Sequence, residues 1–231
     1  FGLDDVNEME SKFGEVAKFM NIVALVDGNE NSYWGTVGDA PGYNWKSKSR
    51  LLLIEHDPYQ DDRGVVSKEI PSPNNSELGK LMLENNGELN LASGQTLRAA
   101  LDFAMKAVPS DKVFVDLWNH GAAWEGVASD DSSPYHGDLI RLDELRDALT
   151  DLPKKVDVIG FDACLMQNLG VAAVLEQADI DYVVASEETE PGEGWAYENF
   201  LSTLSENHEI FGKLSPEKLA SSLVQSYDGP T

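Results

Sequence analysis

Short apolar runs separated by helical patterns constrain the fold of this 231-residue chain more than any other feature. The runs are rich in β-branched residues and too short for helices, so each predicts a buried strand. They are residues 21–26, 51–55, 113–118, 156–161 and 182–185. Apolar residues recur with helical spacing at residues 6–19, 97–108 and 142–149. Residues 165–176 are almost entirely apolar and predict a helix covered on both sides, and Ser215, Pro216 and Glu217 are typical of the start of another helix. This alternation predicts an α/β fold with a mainly parallel central β-sheet flanked by helices.

Two stretches do not fit the alternation of strands and helices. Residues 28–48 are rich in Gly, Asn and Trp, and residues 57–92 are polar and contain Pro71, Pro73 and Gly87. Both are predicted to be long loops, which are often functional. The length and the lack of a clear linker predict a single domain over residues 1–231.

The composition excludes several classes of function. With 17 Lys and Arg against 41 Asp and Glu, the net charge is −24, which argues against nucleic acid and anionic membrane surfaces as partners. The charge favours cationic partners or an extracellular setting, although it also fits a merely well-solvated surface. One cysteine excludes an internal disulfide framework, and no apolar run is long enough to span a membrane. The chain begins at Phe1 and carries no signal segment, so a fragment or a processed form is expected.

The sole cysteine, Cys164, follows the buried run at residues 156–161 and precedes an apolar helical pattern. We therefore predict it at the carboxyl end of a strand and near a helix N-terminus, a position that favours the thiolate. The alternative is an inert buried thiol, which is the usual state of a lone core cysteine. Glycine-rich phosphate loops, zinc motifs and the G-x-S-x-G serine motif are all absent from the sequence.

A second strand, residues 113–118, leads into His120 and Gly121. In a parallel sheet, the carboxyl ends of neighbouring strands lie at one edge, so His120 and Cys164 are expected to meet there. A thiol beside an imidazole is the minimum apparatus for covalent acyl transfer. The N–H groups of Gly121 and Cys164 would then bind the oxyanion. His56 is the main competitor for the role of base, and His136 and His208 are weaker candidates.

Three segments resemble the clostripain family of cysteine peptidases, in the caspase-like clan. They are residues 118–121 (Trp-Asn-His-Gly), 160–166 (Gly-Phe-Asp-Ala-Cys-Leu-Met) and 185–197 (Ala-Ser-Glu-Glu-Thr-Glu-Pro-Gly-Glu-Gly-Trp-Ala-Tyr). The resemblance implies a caspase-like sandwich, with His120 and Cys164 as the catalytic dyad. It further implies cleavage after Arg or Lys, and hence carboxylates in the substrate pocket.

Four acidic residues are candidates for that pocket. Asp162 matches the family's acidic position two residues before the nucleophile, and strand alternation places it on the same side as Cys164. Glu193 matches another position that is often acidic, while Glu187 and Glu188 follow a strand end. With 41 carboxylates in the chain, each of the three glutamates can equally be an ordinary surface residue.

The chain departs from the family pattern in several places. It starts at the first helix, without the strand that usually precedes it, and we expect it to lack a C-terminal extension. Family members are often cleaved between the catalytic His and Cys, yet residues 121–140 contain no Lys or Arg, and Arg141 is the first basic residue. Calcium is the one candidate cofactor, with the acidic loop at residues 129–132 as a weak candidate site without EF-hand spacing. No metal-ligand set is predicted.

The sequence therefore predicts a cysteine endopeptidase that cleaves protein or peptide substrates after Arg or Lys. Two alternatives stay open: a non-catalytic binding or adhesion domain on the same scaffold, and a peptidase of this fold with another specificity. A secreted or cell-envelope location is expected from the single cysteine, the acidity and the family.

Overall fold

The structure is a computed structural model that describes residues 2–28, 45, 48–57, 59, 64–132, 135, 137–211 and 213–227, with residues 209 and 211 described as backbone only. The chain divides into two compact units. The first comprises Phe1–Leu89, Ala196–Lys213 and Gln225–Asp228, and the second comprises Asn90–Trp195, Leu214–Val224 and Gly229–Thr231. A single domain over residues 1–231 stays a prediction.

The first unit contains an antiparallel sheet. Strand β1 (Val23–Gly28) pairs with β2 (Lys48–Leu53), which pairs in turn with the short β3 (Lys68–Glu69). The helices of this unit are α1 (Gly2–Val16), α2 (Glu77–Glu84) and α6 (Tyr197–Phe211). Its core forms where the apolar face of α1 packs against the sheet, and it contains Leu3, Val6, Trp45, Leu52, Ile54 and Val65.

A buried carboxylate attaches α1 to the segment that leads into β3. The side chain of Glu10 is fully buried and accepts hydrogen bonds from the backbone N–H groups of Val66, at 3.0 Å, and Ser67, at 2.7 Å. Loss of water on burial raises the pKa of Glu10, and the nearby charge of Asp57 adds to the rise. The hydrogen bonds from residues 66 and 67 act in the opposite direction and limit it.

The second unit contains the parallel sheet. Strands β4 (Phe114–Trp118), β7 (Val158–Asp162) and β8 (Tyr182–Val184) pair in the order β4-β7-β8. Between β4 and β7 the chain forms the antiparallel pair β5 (Val127–Asp130) and β6 (Asp138–Ile140). The helices are α3 (Gly94–Ala107), α4 (Leu142–Leu149), α5 (Leu169–Gln177) and α7 (Pro216–Ser226), the last of which belongs to this unit as far as Val224.

The central position of β7 follows from its sequence. All five of its residues are buried, as expected of a strand with neighbours on both edges, and its apolar side chains are part of the larger core. Helix α3 begins where Ser93 accepts a hydrogen bond from the N–H of Gln95, which makes Ser93 its N-cap.

The structure confirms the α/β class and contains a strand at each predicted run. The three-stranded sheet of the second unit is parallel, whereas β5 and β6 of that unit and the three described strands of the first unit run antiparallel. The loop predicted at residues 57–92 contains β3 and α2, and most of residues 28–48 lie outside the described residues. Helix α5 begins at Leu169 rather than at residue 165, and only one face of it is buried. No helix in the described ranges has the length and hydropathy needed to cross a membrane.

We predict that Glu10→Gln changes how stability depends on pH. Between its ordinary pKa of 4.5 and its raised value in the folded state, the folded protein binds more protons at Glu10 than the unfolded chain does. The contribution of Glu10 to stability therefore falls as pH rises through this window, and the Gln variant lacks that loss. Chemical denaturation at a series of pH values should show the difference in unfolding free energy, variant minus wild type, rising with pH. Glu15→Gln, on the exposed face of α1, is the control, and a difference independent of pH would contradict the prediction.

Candidate active site

The ends of β4 and β7 bring two loops to one edge of the parallel sheet. The strands are in register so that Trp118 pairs with Asp162, and the N–H of Asn119 donates to the carbonyl of Asp162 at 3.2 Å. The residues that follow each strand, 119–121 and 163–165, therefore emerge side by side. This is the arrangement expected for neighbouring parallel strands.

Backbone packing joins these two loops. A β-carbon placed on Gly121 would lie 2.1 Å from the carbonyl oxygen of Cys164 and 3.1 Å from its nitrogen. No side chain fits in that space, so glycine is required for the chain after His120 to touch the backbone of Cys164. The predicted proximity of the His120-Gly121 loop to Cys164 is thus present in the structure.

His120 lies on a loop held by hydrogen bonds from both sides. The side-chain oxygen of Asn119 accepts from the N–H of His120 at 2.5 Å and from the hydroxyl of Ser129 at 2.9 Å. The carbonyl of His120 accepts from the N–H of Ala128 at 2.9 Å. The His120 side chain is exposed, which leaves the imidazole accessible to a substrate.

The thiol of Cys164 is half-buried, and its sulfur accepts a hydrogen bond from the N–H of Glu190 at 3.3 Å. The prediction that a helix follows Cys164 directly is wrong. A turn intervenes, Asn168 caps α5, and the helix begins at Leu169. The reason is that Leu165 has a positive φ of 65°, which a right-handed helix does not allow.

The loop after β8 is fastened to the loop of Cys164. The N–H of Leu165 donates to the carbonyl of Glu188 at 2.9 Å, and the N–H of Gln167 donates to the carbonyl of Ser186 at 2.8 Å. The side chains of Glu187 and Glu188 are exposed on this loop. Two of the predicted acidic residues therefore lie on a segment that contacts the Cys164 loop directly.

Two N–H groups at this edge are available to a ligand. Gly121 and Val127 form an antiparallel bridge in which the N–H of residue 122 donates to the carbonyl of residue 126, and the N–H of residue 128 donates to the carbonyl of residue 120. The N–H of Gly121 takes no part in these hydrogen bonds. In the described part of the chain, the N–H groups of Gly121 and Cys164 have no hydrogen-bond partner. Adjacent unused donors of this kind can stabilise a developing negative charge on an oxygen.

Asp162 is the most buried of the predicted acidic residues, with 3% of its surface exposed. Its Oδ2 atom accepts a hydrogen bond from the N–H of Trp195 at 2.8 Å. Gly194 has a φ of +74°, and a β-carbon on it would lie 2.6 Å from the same oxygen. The carboxylate thus holds the loop at residues 191–195 against the end of β7. Glu193, on that loop, is exposed.

The other histidines have different surroundings. In the first unit, the Nδ1 atom of His56 lies 3.1 Å from the carbonyl oxygen of Glu10, and the ring of His208 stacks on Phe19 at a centroid distance of 4.0 Å. His136 lies outside the described residues. None of these observations connects His56 or His208 with Cys164.

The acidic loop at residues 129–132 uses its carboxylate internally. Asp130 is buried and accepts hydrogen bonds from the N–H groups of Leu91, at 2.8 Å, and Ser132, at 2.7 Å. Among the described residues, no group of three or more His, Cys, Asp and Glu side chains is placed to hold a metal ion. The described residues of this loop therefore offer calcium no such group of side chains, and calcium there stays a prediction.

Some residues that hold the site together were not among those predicted from the sequence. Asn119 carries a cluster of hydrogen bonds, and its place beside His120 in the Trp-Asn-His-Gly segment was the available signal. The contacts of Ser186 and Glu190 with the Cys164 loop had no signal in the sequence, because backbone groups of any residue type can make them.

We predict that Gly121→Ala destabilises the protein by about 1–3 kcal/mol, the usual cost of overpacking. The new methyl group would overlap the carbonyl of Cys164, and one of the two loops would have to move. Chemical denaturation measures the cost. Gly192→Ala is the control, because nothing lies within 4 Å of a β-carbon at that position. Equal stability of the two variants would contradict the close packing of Gly121 on Cys164.

Known proteins resemble this chain in sequence and in structure. Clostripain of Hathewaya histolytica is 24% identical in an alignment 222 residues long, which covers 87% of this chain and 39% of that protein. The X-ray structure of a secreted C11 cysteine protease from Bacteroides thetaiotaomicron, in complex with an irreversible peptide inhibitor, has a TM-score of 0.66 at 22% identity and covers 98% of this chain and 53% of its own. An inactive zymogen C11 protease from Parabacteroides distasonis has a TM-score of 0.59 at 18% identity, with 98% and 51% covered.

These likenesses confirm the caspase-like fold expected from the sequence. The chain spans about half the length of the solved relatives and less than half of the clostripain sequence. A family model described as the clostripain family matches residues 1–229. Because that match extends over nearly the whole sequence, the chain belongs to the clostripain family.

Proposed function

We propose that the chain is the catalytic part of a cysteine endopeptidase in which Cys164 is the nucleophile and His120 is the general base and acid. The observation that supports the proposal is the packing of the Gly121 backbone against the Cys164 backbone, which brings the loop of His120 into contact with that of Cys164. Membership of the clostripain family supports the reaction class.

The reaction would follow the usual course of acyl transfer to a thiol. The Cys164 sulfur attacks the carbonyl carbon of the scissile peptide bond, and the thiol proton passes to His120. The N–H groups of Gly121 and Cys164 bind the resulting oxyanion. Collapse of the intermediate breaks the carbon–nitrogen bond while His120 protonates the leaving amine. Water, with its proton taken by His120, then hydrolyses the thioester and regenerates the enzyme.

The substrate proposed is a protein or peptide with Arg or Lys before the scissile bond. Asp162 is buried two residues before Cys164, and Glu187 and Glu188 lie on the loop fastened to it. Residues 113–140 and 156–212, which include every segment of the site, contain no Lys or Arg. A basic side chain entering this site would meet carboxylates and no competing cation from these segments.

Arg141, the first basic residue after His120, is the candidate processing site. It precedes α4, its N–H donates to the carboxylate of Glu144 at 3.0 Å, and its guanidinium lies 3.3 Å from Asp143. Cleavage after Arg141 would require the first turn of α4 to open. We also propose a secreted or cell-envelope location, as one similar structure is described as a secreted protease.

We predict that the protein digests a denatured protein and that Cys164→Ala abolishes the cuts. The variant removes only the sulfur, so it should keep the wild-type circular dichroism and melting temperature. Mass spectrometry of the products should locate the cuts after Arg and Lys. A folded wild-type protein that makes no cuts would favour a binding domain, and cuts that persist in Cys164→Ala would exclude this nucleophile.

A second prediction concerns Asp162→Asn. Asparagine keeps an oxygen that can accept from the N–H of Trp195, so the loop at residues 191–195 should hold its place while the charge is lost. We expect the preference in kcat/KM for an Arg peptide over its neutral citrulline analogue to fall by about tenfold or more, because a charge-assisted hydrogen bond is lost.

The exposed Glu193→Gln serves as a parallel variant for this test. An equal loss on the Arg and citrulline peptides in Asp162→Asn would assign Asp162 a structural role only. If only Glu193→Gln lost the preference for the Arg peptide, Glu193 rather than Asp162 would be the residue that recognises the basic side chain.

A further inference from the structure

Trp124 is the most exposed tryptophan among the described residues. It is 75% exposed, whereas Trp45 and Trp195 are each 8% exposed and Trp118 is half-buried. Leaving a large aromatic side chain in water forgoes a substantial hydrophobic gain. Such residues are enriched where a protein contacts another molecule.

The turn that carries Trp124 is well fixed. The N–H of Glu125 donates to the carbonyl of Ala122 at 3.1 Å, and the N–H of Ala122 donates to the carbonyl of Gly126 at 2.9 Å. Ala123, immediately before the tryptophan, has a φ of +55°, which is unfavourable for a residue with a β-carbon. A strained and hydrogen-bonded turn thus presents an exposed tryptophan, a combination typical of functional loops.

This turn belongs to the loop that packs on Cys164. Trp124 lies three residues after Gly121, whose backbone touches Cys164. On the Cys164 side, Leu165 is 37% exposed and Leu169, in the first turn of α5, is 87% exposed. Exposed apolar side chains therefore occur on both loops that meet at the candidate nucleophile.

The sheet order places Trp124 and the glutamates at residues 187 and 188 on loops that follow different strands. Strand β7, which leads to Cys164, lies between β4 and β8. The loop after β4 carries His120 and Trp124, and the loop after β8 carries Glu187 and Glu188. Because His120 must protonate the leaving amine, the part of the substrate after the scissile bond lies toward the β4 side.

We infer that Trp124 is a specificity-determining residue that contacts an apolar side chain on the C-terminal side of the scissile bond. The inference rests on the proposed peptidase function and extends it. The preferred substrate then has a basic residue before the cleaved bond and an apolar residue shortly after it. The basic residue would be recognised by Asp162 at the end of β7 and by the loop after β8, and the apolar residue from the loop after β4.

Acyl transfer tests this contact directly. An N-acyl arginine ester forms the Cys164 thioester and releases the alcohol, so nothing remains on the leaving-group side. An added amino acid amide can then attack the thioester in competition with water. The new carbon–nitrogen bond forms, the carbon–sulfur bond breaks, and His120 takes the proton of the attacking amine. The yield of transfer product relative to hydrolysis measures how well each amine binds.

We expect wild type to use phenylalanine amide and leucine amide at least about tenfold better than glycine amide, in line with the discrimination that apolar contacts provide. Trp124→Ala should lose most of that preference, and Trp124→Phe should keep most of it. Tyr59→Ala is the matched control, because Tyr59 is an aromatic residue of the first unit that is 74% exposed. It should retain the wild-type preference.

The outcomes separate this inference from the proposed function. Absence of ester hydrolysis and of protein cleavage by folded wild type would overturn the proposed function and the inference together. Hydrolysis with the same amine preference in wild type and Trp124→Ala would overturn the role of Trp124 and leave the peptidase proposal standing. Equal use of glycine amide and phenylalanine amide by wild type would also overturn the role of Trp124 and leave the peptidase proposal standing.

Discussion

The candidate site depends on one steric constraint, the close approach of the Gly121 backbone to the Cys164 backbone. Parallel pairing of β4 and β7 brings the strand ends together, but pairing alone leaves room for the two loops to diverge. Because residue 121 has no side chain, the two loop backbones can come into contact. Among the described residues the N–H groups of Gly121 and Cys164 have no hydrogen-bond partner, so this contact brings together the two donors proposed to bind the oxyanion.

The order of the parallel strands organises the chemistry around this contact. With β7 in the middle, each neighbour contributes one loop to the same edge. The loop after β4 is fixed by Asn119 and presents His120 and Trp124, while the loop after β8 is fastened through residues 186 and 188 and presents carboxylates. The side chains of Trp124 and of the glutamates at residues 187 and 188 are thereby presented from loops that follow different neighbours of β7.

The sequence predicted the parts of the site that depend on strong local signals. The apolar runs at residues 113–118 and 156–161 predict β4 and β7, and they therefore predict that the residues after these strands lie at one edge of the parallel sheet. The start of α5 was misplaced because apolar residues continue from residue 165, and a positive φ at Leu165 does not appear in a hydrophobic pattern. The fastening by Ser186 and Glu188 was missed since it uses carbonyl groups that every residue has. Antiparallel pairing of β1 and β2 is likewise set by tertiary contacts rather than by either strand alone.

Some of the many acidic residues of the chain have a structural role. Buried carboxylates hold backbone N–H groups at separate places: Glu10 holds residues 66 and 67, Asp130 holds residues 91 and 132, and Asp162 holds Trp195. In each case a buried carboxyl group satisfies donors of irregular segments that no strand or helix would satisfy. Asp162 does this two residues before Cys164, and the proposed recognition of a basic side chain would give its carboxylate a second role. A carboxylate that first serves to hold a loop can in this way acquire a role in substrate recognition, and Asp162→Asn separates the two roles because asparagine keeps the acceptor and loses the charge.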